Sequence, residues 1–143
     1  MVGNRSRDTR PEIAIRSLLH RQGHRFWVAK RPTKSVRRTA DVVFPRLRLA
    51  VFVDGCFWHR CPTHFVLPKT NTSYWQTKID GNAARDIDTT AALEAEGWRV
   101  LRSWEHDDPA IVVKEIAAEI RGLREAQERD RSPRGSRETR RAF

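Results

Sequence analysis

No stretch of about 18 consecutive apolar residues occurs anywhere in this chain, which excludes a helix predicted to span a bilayer. The first residues, Met1-Val2-Gly3-Asn4-Arg5, lack the apolar segment of a secretory signal, so a soluble, cytoplasmic protein is expected. Cysteine is equally scarce. Cys56 and Cys61 are the only two, and they stand too close in sequence to staple distant segments, which argues against a disulfide framework. There is no internal repeat. A chain of 143 residues has room for one compact domain and a tail.

Acids are missing from one region in particular. The net charge is +10, and across residues 1–48 the only carboxylates are Asp8, Glu12 and Asp41, while Lys and Arg recur throughout. Downstream the two signs nearly balance. Such a concentrated basic segment points to a polyanion, whose bound counterions are released when Lys and Arg replace them. The alternative is a solvated basic surface with no partner.

Periodicity predicts the elements. Thr9-Arg10-Pro11-Glu12 reads as an N-cap, a proline in the first turn and a capping-box glutamate, opening a helix near 10–22 with Ile13, Ile15, Leu18 and Leu19 as its apolar stripe and Gly23 as its stop. Arg25 to Lys30 reads as a strand. A basic turn follows, and then Ala40-Asp41-Val42-Val43-Phe44 and Leu49-Ala50-Val51-Phe52-Val53 read as a hairpin at the centre of a sheet. A long helix from Tyr74 to Glu96 carries Trp75, Ile79, Ala83, Ile87 and Leu93 on one side, with Gly81 as a weak point. Trp98 to Trp104 is a further strand, and Pro109 starts a last helix with Ile111, Val112, Ile116, Ile120 and Leu123. The domain is expected to fill residues 1–125, and the arginine-rich residues 126–143 are expected to be disordered.

Two groups of residues carry chemistry. Cys56, Cys61 and His64 fall within one short loop with the ligand types and spacing of tetrahedral zinc, and His106, just after a strand end, is the candidate fourth ligand. The alternative is buried free cysteines and surface histidines. Separately, Asp41 is a lone acid in an apolar strand, where an uncompensated carboxylate would cost several kcal/mol. Magnesium held by Asp41 and a backbone carbonyl near Val53 would offset that cost, with Asp54 assisting through water.

His59 is the natural proton acceptor for a water attacking a phosphodiester, or else a surface histidine of the zinc loop. Glu12 is explained by the capping box, with a catalytic role the lesser reading. Phe57 and Trp58 either pack under the loop or wedge into a base step, and Trp75 is either core or a further wedge.

Taken together, Arg7 to Glu12, Ala40 to Phe44, Phe52-Val53-Asp54-Gly55-Cys56-Phe57-Trp58-His59, Tyr74 to Ile79, Asn82 to Asp86 and Gly97 to Glu105 resemble the motif series of the very short patch repair (Vsr) endonucleases over about residues 5–106. The resemblance implies an α/β, restriction-endonuclease-like single domain with a mixed central sheet flanked by helices and a structural zinc loop. It implies a magnesium-dependent endonuclease that nicks beside the thymine of a T:G mismatch, with double-stranded DNA and mismatch-repair proteins of the MutL type as partners. Asp41 and the Val53 carbonyl match its magnesium positions, His59 its general base and Glu12 an acid near the active site. Phe57, Trp58 and Trp75 match aromatics that enter the DNA stack, and Met1 stands where a wedging methionine lies. His106 falls where cysteine is common in the family, and Asp54 where histidine often stands. Two other readings fit the same residues: a non-catalytic zinc module that binds DNA, and a nuclease of the same fold with a different DNA target.

Overall fold

The computed structural model describes residues 9–55 and 67–131, and they run α1 (Arg10–Arg21), β1 (Trp27–Lys30), β2 (Ala40–Phe44), β3 (Leu49–Asp54), α2 (Thr72–Ala95), β4 (Arg99–Trp104) and α3 (Pro109–Arg131). The four strands form one sheet in the order β1-β2-β3-β4, antiparallel as far as β3 and parallel between β3 and β4. The predicted hairpin is therefore the centre of the sheet. A parallel pair needs a long crossover, and α2 lies within it.

Helices cover both faces. On one side Ile15 and Leu19 of α1 and Val112, Val113, Ile116 and Ile120 of α3 pack on Val42, Phe44, Leu49 and Val51. On the other, Leu93 of α2 and Val36 pack on Ala40, Val43, Ala50 and Phe52. Both central strands are thus buried front and back, which is why they read as unbroken apolar runs apart from Asp41. Arg99 ties β4 to α3 through two hydrogen bonds of 3.0 Å to the Glu119 carboxylate.

Turn chemistry fixes the register. Arg48 adopts φ 57° and closes the β2–β3 turn with its amide donating to the Pro45 carbonyl, while its own carbonyl accepts from Arg99 at 2.8 Å. Gly97 ends α2 with φ 89°, and a β-carbon there would lie 3.2 Å from the Arg48 guanidinium.

Several expectations need adjusting. Ile13 is 49% exposed and Ile87 70% exposed, so neither belongs to the stripe assigned to it; the buried positions of α1 are Glu12, Ile15 and Leu19, and those of α2 are Ile79, Thr89 and Leu93. Ile111 is also exposed. α2 passes through Gly81 without a break, and α3 runs on to Arg131, beyond the domain end expected at 125. Among the described residues no helix is long and apolar enough to cross a membrane.

The packing separates two isoleucines by energy. Ile116→Ala removes a side chain with no exposed surface and should cost ~2–5 kcal/mol, whereas Ile87→Ala should stay within about 0.5 kcal/mol. Urea denaturation of both variants checks the assignment.

Candidate active site

Asp41 is where the sheet's regularity fails. Pairing is present at Val28↔Val42 and Lys30↔Ala40, a register that sets Ala29 opposite Asp41, and Ala29 takes φ 52°. A left-handed conformation costs an alanine about 1–2 kcal/mol, so the packing around it must hold it there. On the other side, pairing with β3 ends at Val42↔Val51. Ala40 packs on the face of Val43 rather than that of Val42, so the strand turns over at the step that carries the acid.

The Asp41 carboxylate is half-buried and accepts a hydrogen bond of 2.6 Å from the Val53 amide on the neighbouring strand. Its other close neighbours are acids. Burial pushes its pKa up to about 7; the Val53 amide opposes that, and the charge of Glu12, a side-chain hydrogen bond with Glu12 and the charge of Asp54 add to it. Near neutral pH Asp41 therefore holds a proton part of the time.

Glu12 reaches this cluster because α1 ends beside it. Thr9 caps the helix, its hydroxyl accepting from the Glu12 amide at 3.4 Å, and Pro11 fits the first turn. Glu12 then occupies the position one turn before Ile15 on the buried stripe and is only 6% exposed. Arg16, one turn on, brings a guanidinium nitrogen to 3.8 Å from its carboxylate. The capping box explains why the helix starts at Thr9; it does not explain why Glu12 is buried against Asp41.

Asp54 has a different environment. Its two oxygens lie 3.0 and 3.2 Å from one guanidinium nitrogen of Arg102 on β4. That arginine lies across Phe52, 4.3 Å from its ring centre, and also donates to Thr90 at 3.0 Å and to the Asp86 carbonyl at 3.4 Å. The Asp86 carboxylate stands 3.8 Å from Arg102 and 3.7 Å from Arg38. Sequence reasoning missed Arg102 and Arg16. A signal existed for the first, since Val100, Arg102 and Trp104 share one side of β4 and Val100 packs on the core there.

The remaining candidates divide by position. Trp75 lies in the first turn of α2, half-buried and edge-on to Tyr74 at 5.0 Å. His106 follows β4, its ring parallel to that of Trp104 at 6.5 Å and its Nε2 3.6 Å from the Asp107 carboxylate. β3 and β4 end together, with the Glu105 amide donating to the Asp54 carbonyl at 2.9 Å, so Gly55 and Glu105 leave the sheet in register and His106 follows in the turn after β4. Met1, Cys56, Phe57, Trp58, His59, Cys61 and His64 lie outside the described residues.

Among the described residues no group of three or more His, Cys, Asp or Glu side chains closes around a point where an ion could sit.

Residues 1–64 match the family described as DNA mismatch endonuclease Vsr. The Type II nicking enzyme V.XorIIP of Xanthomonas oryzae is 50% identical over 102 residues, covering 71% of this chain and 73% of that protein. The chain belongs to the Vsr family. The Type II nicking enzyme V.NaeI of Lentzea aerocolonigenes is 44% identical over 76% of this chain and 66% of its own length. The DNA mismatch endonuclease Vsr of Escherichia coli is 39% identical over 70% of this chain and 63% of its own. Part of each relative therefore has no counterpart in the matched stretch. For the Vsr-family chain described here, the mixed sheet with helices on both faces fits the restriction-endonuclease-like fold expected of it.

The raised pKa gives a pH dependence of definite sign. The folded protein binds a proton at Asp41 more tightly than the unfolded chain does, so stability should fall as pH rises from the ordinary carboxylate range to about 7, at up to ~1.4 kcal/mol per pH unit, and level off above. Asp41→Asn should abolish that slope. Chemical denaturation between pH 4 and 8 in a chelator checks it, and an unchanged slope in the variant would assign the titration elsewhere.

Proposed function

We propose that this chain is a DNA endonuclease that cuts one strand beside the thymine of a T:G mismatch, initiating very short patch repair of deaminated 5-methylcytosine. The observation that carries the reading is the Glu12–Asp41–Asp54 cluster at the break in the central strand, in a chain of the Vsr family. A carboxylate kept only for structure is expected to face a cation, as Asp54 faces Arg102. Asp41 faces Glu12 instead, and two acids sharing a proton are a site awaiting a cation.

Magnesium fits this donor set. It favours one or two carboxylates completed by a carbonyl and waters, and Asp41 beside the Val53 backbone offers donors of that kind. Asp41 and the Val53 carbonyl would hold it, with Asp54 acting through water. When bound, the ion supplies charge to polarise the scissile phosphate. The rest falls to the chain's own groups. His59 takes the proton of the attacking water, Glu12 and Asp54 set the charge around Asp41, and the basic first third holds the phosphate backbone. Phe57, Trp58 and Trp75 wedge into the stack, where a mismatched step opens more cheaply than a paired one, and Met1 would add a wedge from the N-terminus.

A structural zinc ion on Cys56, Cys61, His64 and His106 would order the segment that carries His59. The paired ends of β3 and β4, which put His106 in the turn just past the sheet end from which the segment after Gly55 leaves, support this, as does Asp107, whose carboxylate beside His106 is the usual support of a metal-binding imidazole. Mismatch-repair proteins of the MutL type are the proposed protein partners.

The test compares two duplexes that differ only in a T:G or a T:A pair. The wild type should nick the first at least ~100-fold faster in magnesium, and Asp41→Asn should bind both while losing nicking by a factor of roughly 1,000. Equal cutting of both duplexes would reassign the target within the fold. Binding without cutting by the wild type would leave a zinc-containing DNA-binding module.

A further inference from the structure

At the end of the sheet opposite Asp41 lies a cavity of about 770 Å³, between the start of β1, the β2–β3 turn and the last turns of α3. Its walls hold three arginines, Arg25, Arg46 and Arg124, together with Phe26, Trp27 and the carboxamide of Gln127. No acid lines it among the described residues. Nor does any of the three guanidiniums have an ion-pair or hydrogen-bond partner among them, whereas Arg16, Arg38, Arg99 and Arg102 are all paired with carboxylates. Trp27 is 51% exposed at its mouth.

A cavity does not gather three like charges without cost. His24, which packs edge-on against Phe44 in the cavity wall, registers the field: its pKa is lowered by burial and then by the charge of Arg124. The arrangement is fixed as well as charged. The Gln127 side chain donates to the Arg46 carbonyl at 2.8 Å and ties α3 to the turn. Unpaired guanidiniums brought together from three segments, beside an exposed indole, have the chemistry of a phosphate site with an apolar surface for the attached sugar.

We propose that this cavity is a second DNA contact, holding one backbone phosphate on Arg25, Arg46 and Arg124 with its deoxyribose against Trp27. The assignment rests on the reading of the chain as a DNA nuclease and places that duplex along α1. Glu12 marks the catalytic end of the helix and Gly23 follows its other end. At about 1.5 Å per residue the two lie ~16 Å apart, which is roughly five base-pair steps along a duplex. The contact would therefore fall on the flank, about five base pairs from the cut, and would add affinity without reading sequence.

The experiment measures binding of T:G duplexes by fluorescence anisotropy in a chelator, with flanks of two or ten base pairs on either side of the mismatch, as a function of salt. For the wild type the long flanks should tighten binding about tenfold. The double variant Arg46→Ala, Arg124→Ala should lose that gain, and its slope of log K against log salt on the long duplex should be shallower by about 1, the share of one phosphate, with Arg46→Lys, Arg124→Lys restoring it. Both arginines are exposed, and an unchanged melting temperature establishes that the variants fold. An alanine variant with the wild-type slope and flank gain would overturn the proposal. So would a slope unchanged by the substitutions together with a thermal shift by dTMP or inorganic phosphate that only the wild type shows, since the cavity would then hold a free anion and not DNA. If the wild type nicks no duplex and the slope still falls in the alanine variant, the catalytic reading fails and the cavity assignment stands.

Discussion

The arrangement of this molecule depends on a carboxylate placed in the middle strand of its sheet. An ionised Asp41 at a half-buried site needs compensation, and the fold supplies only part of it, one amide from Val53. The next neighbours make the deficit larger, since Glu12 and Asp54 both raise its pKa. Ala29 is held in a left-handed conformation across from it, and the strand turns over at that step. Each of these features costs stability. A fold that retains them is giving up stability for an open, electron-rich edge at the end of two central strands.

Asp54 provides the internal control. It lies on the adjacent strand and is as buried as Glu12, yet Arg102 covers it, and Arg102 is itself fixed by Phe52, Thr90 and Asp86. The same few residues thus show both treatments of a buried acid: one paired with a guanidinium and tied into a network that joins β3, β4 and α2, the other paired with a second acid. A guanidinium-paired acid such as Asp54 is anchored by the fold and can act on a ligand only indirectly. Only the second kind leaves charge for a ligand to neutralise.

The core elements were legible in the sequence because their signals are local. The Thr9 cap, the two apolar runs and the glycine after α2 are each read from a handful of neighbouring residues, and the strands and helices follow them within a few positions. The site was half legible. Asp41 stood out as a lone acid in a strand, but for Glu12 only the family resemblance pointed to the site, since its capping role explained it locally and burial against a strand distant in sequence leaves no trace in helix periodicity. Ile13 and Ile87 failed for the complementary reason: an isoleucine reports its own hydrophobicity and not which way the helix is turned. Arg102 could have been found, as a charge on the inward side of a strand, had the pairing of β4 with β3 been known.

Charge, finally, explains why these pieces lie where they do along α1. A duplex carries a phosphate at every step, and three carboxylates at the helix start repel the one to be cut. Attraction must therefore come from elsewhere on the chain. The arginines around the acids are already paired, Arg16 with Glu12 and Arg102 with Asp54, and have little charge left to offer at long range. Those past the other end of the helix are unpaired among the described residues. In the proposed arrangement the surface would draw the backbone in at one end and repel it at the other, so a phosphate would settle over Asp41 only with a cation between them. In the proposed reading such a site would hold its substrate without the ion and cut it only with the ion, which would separate binding from chemistry without any moving part.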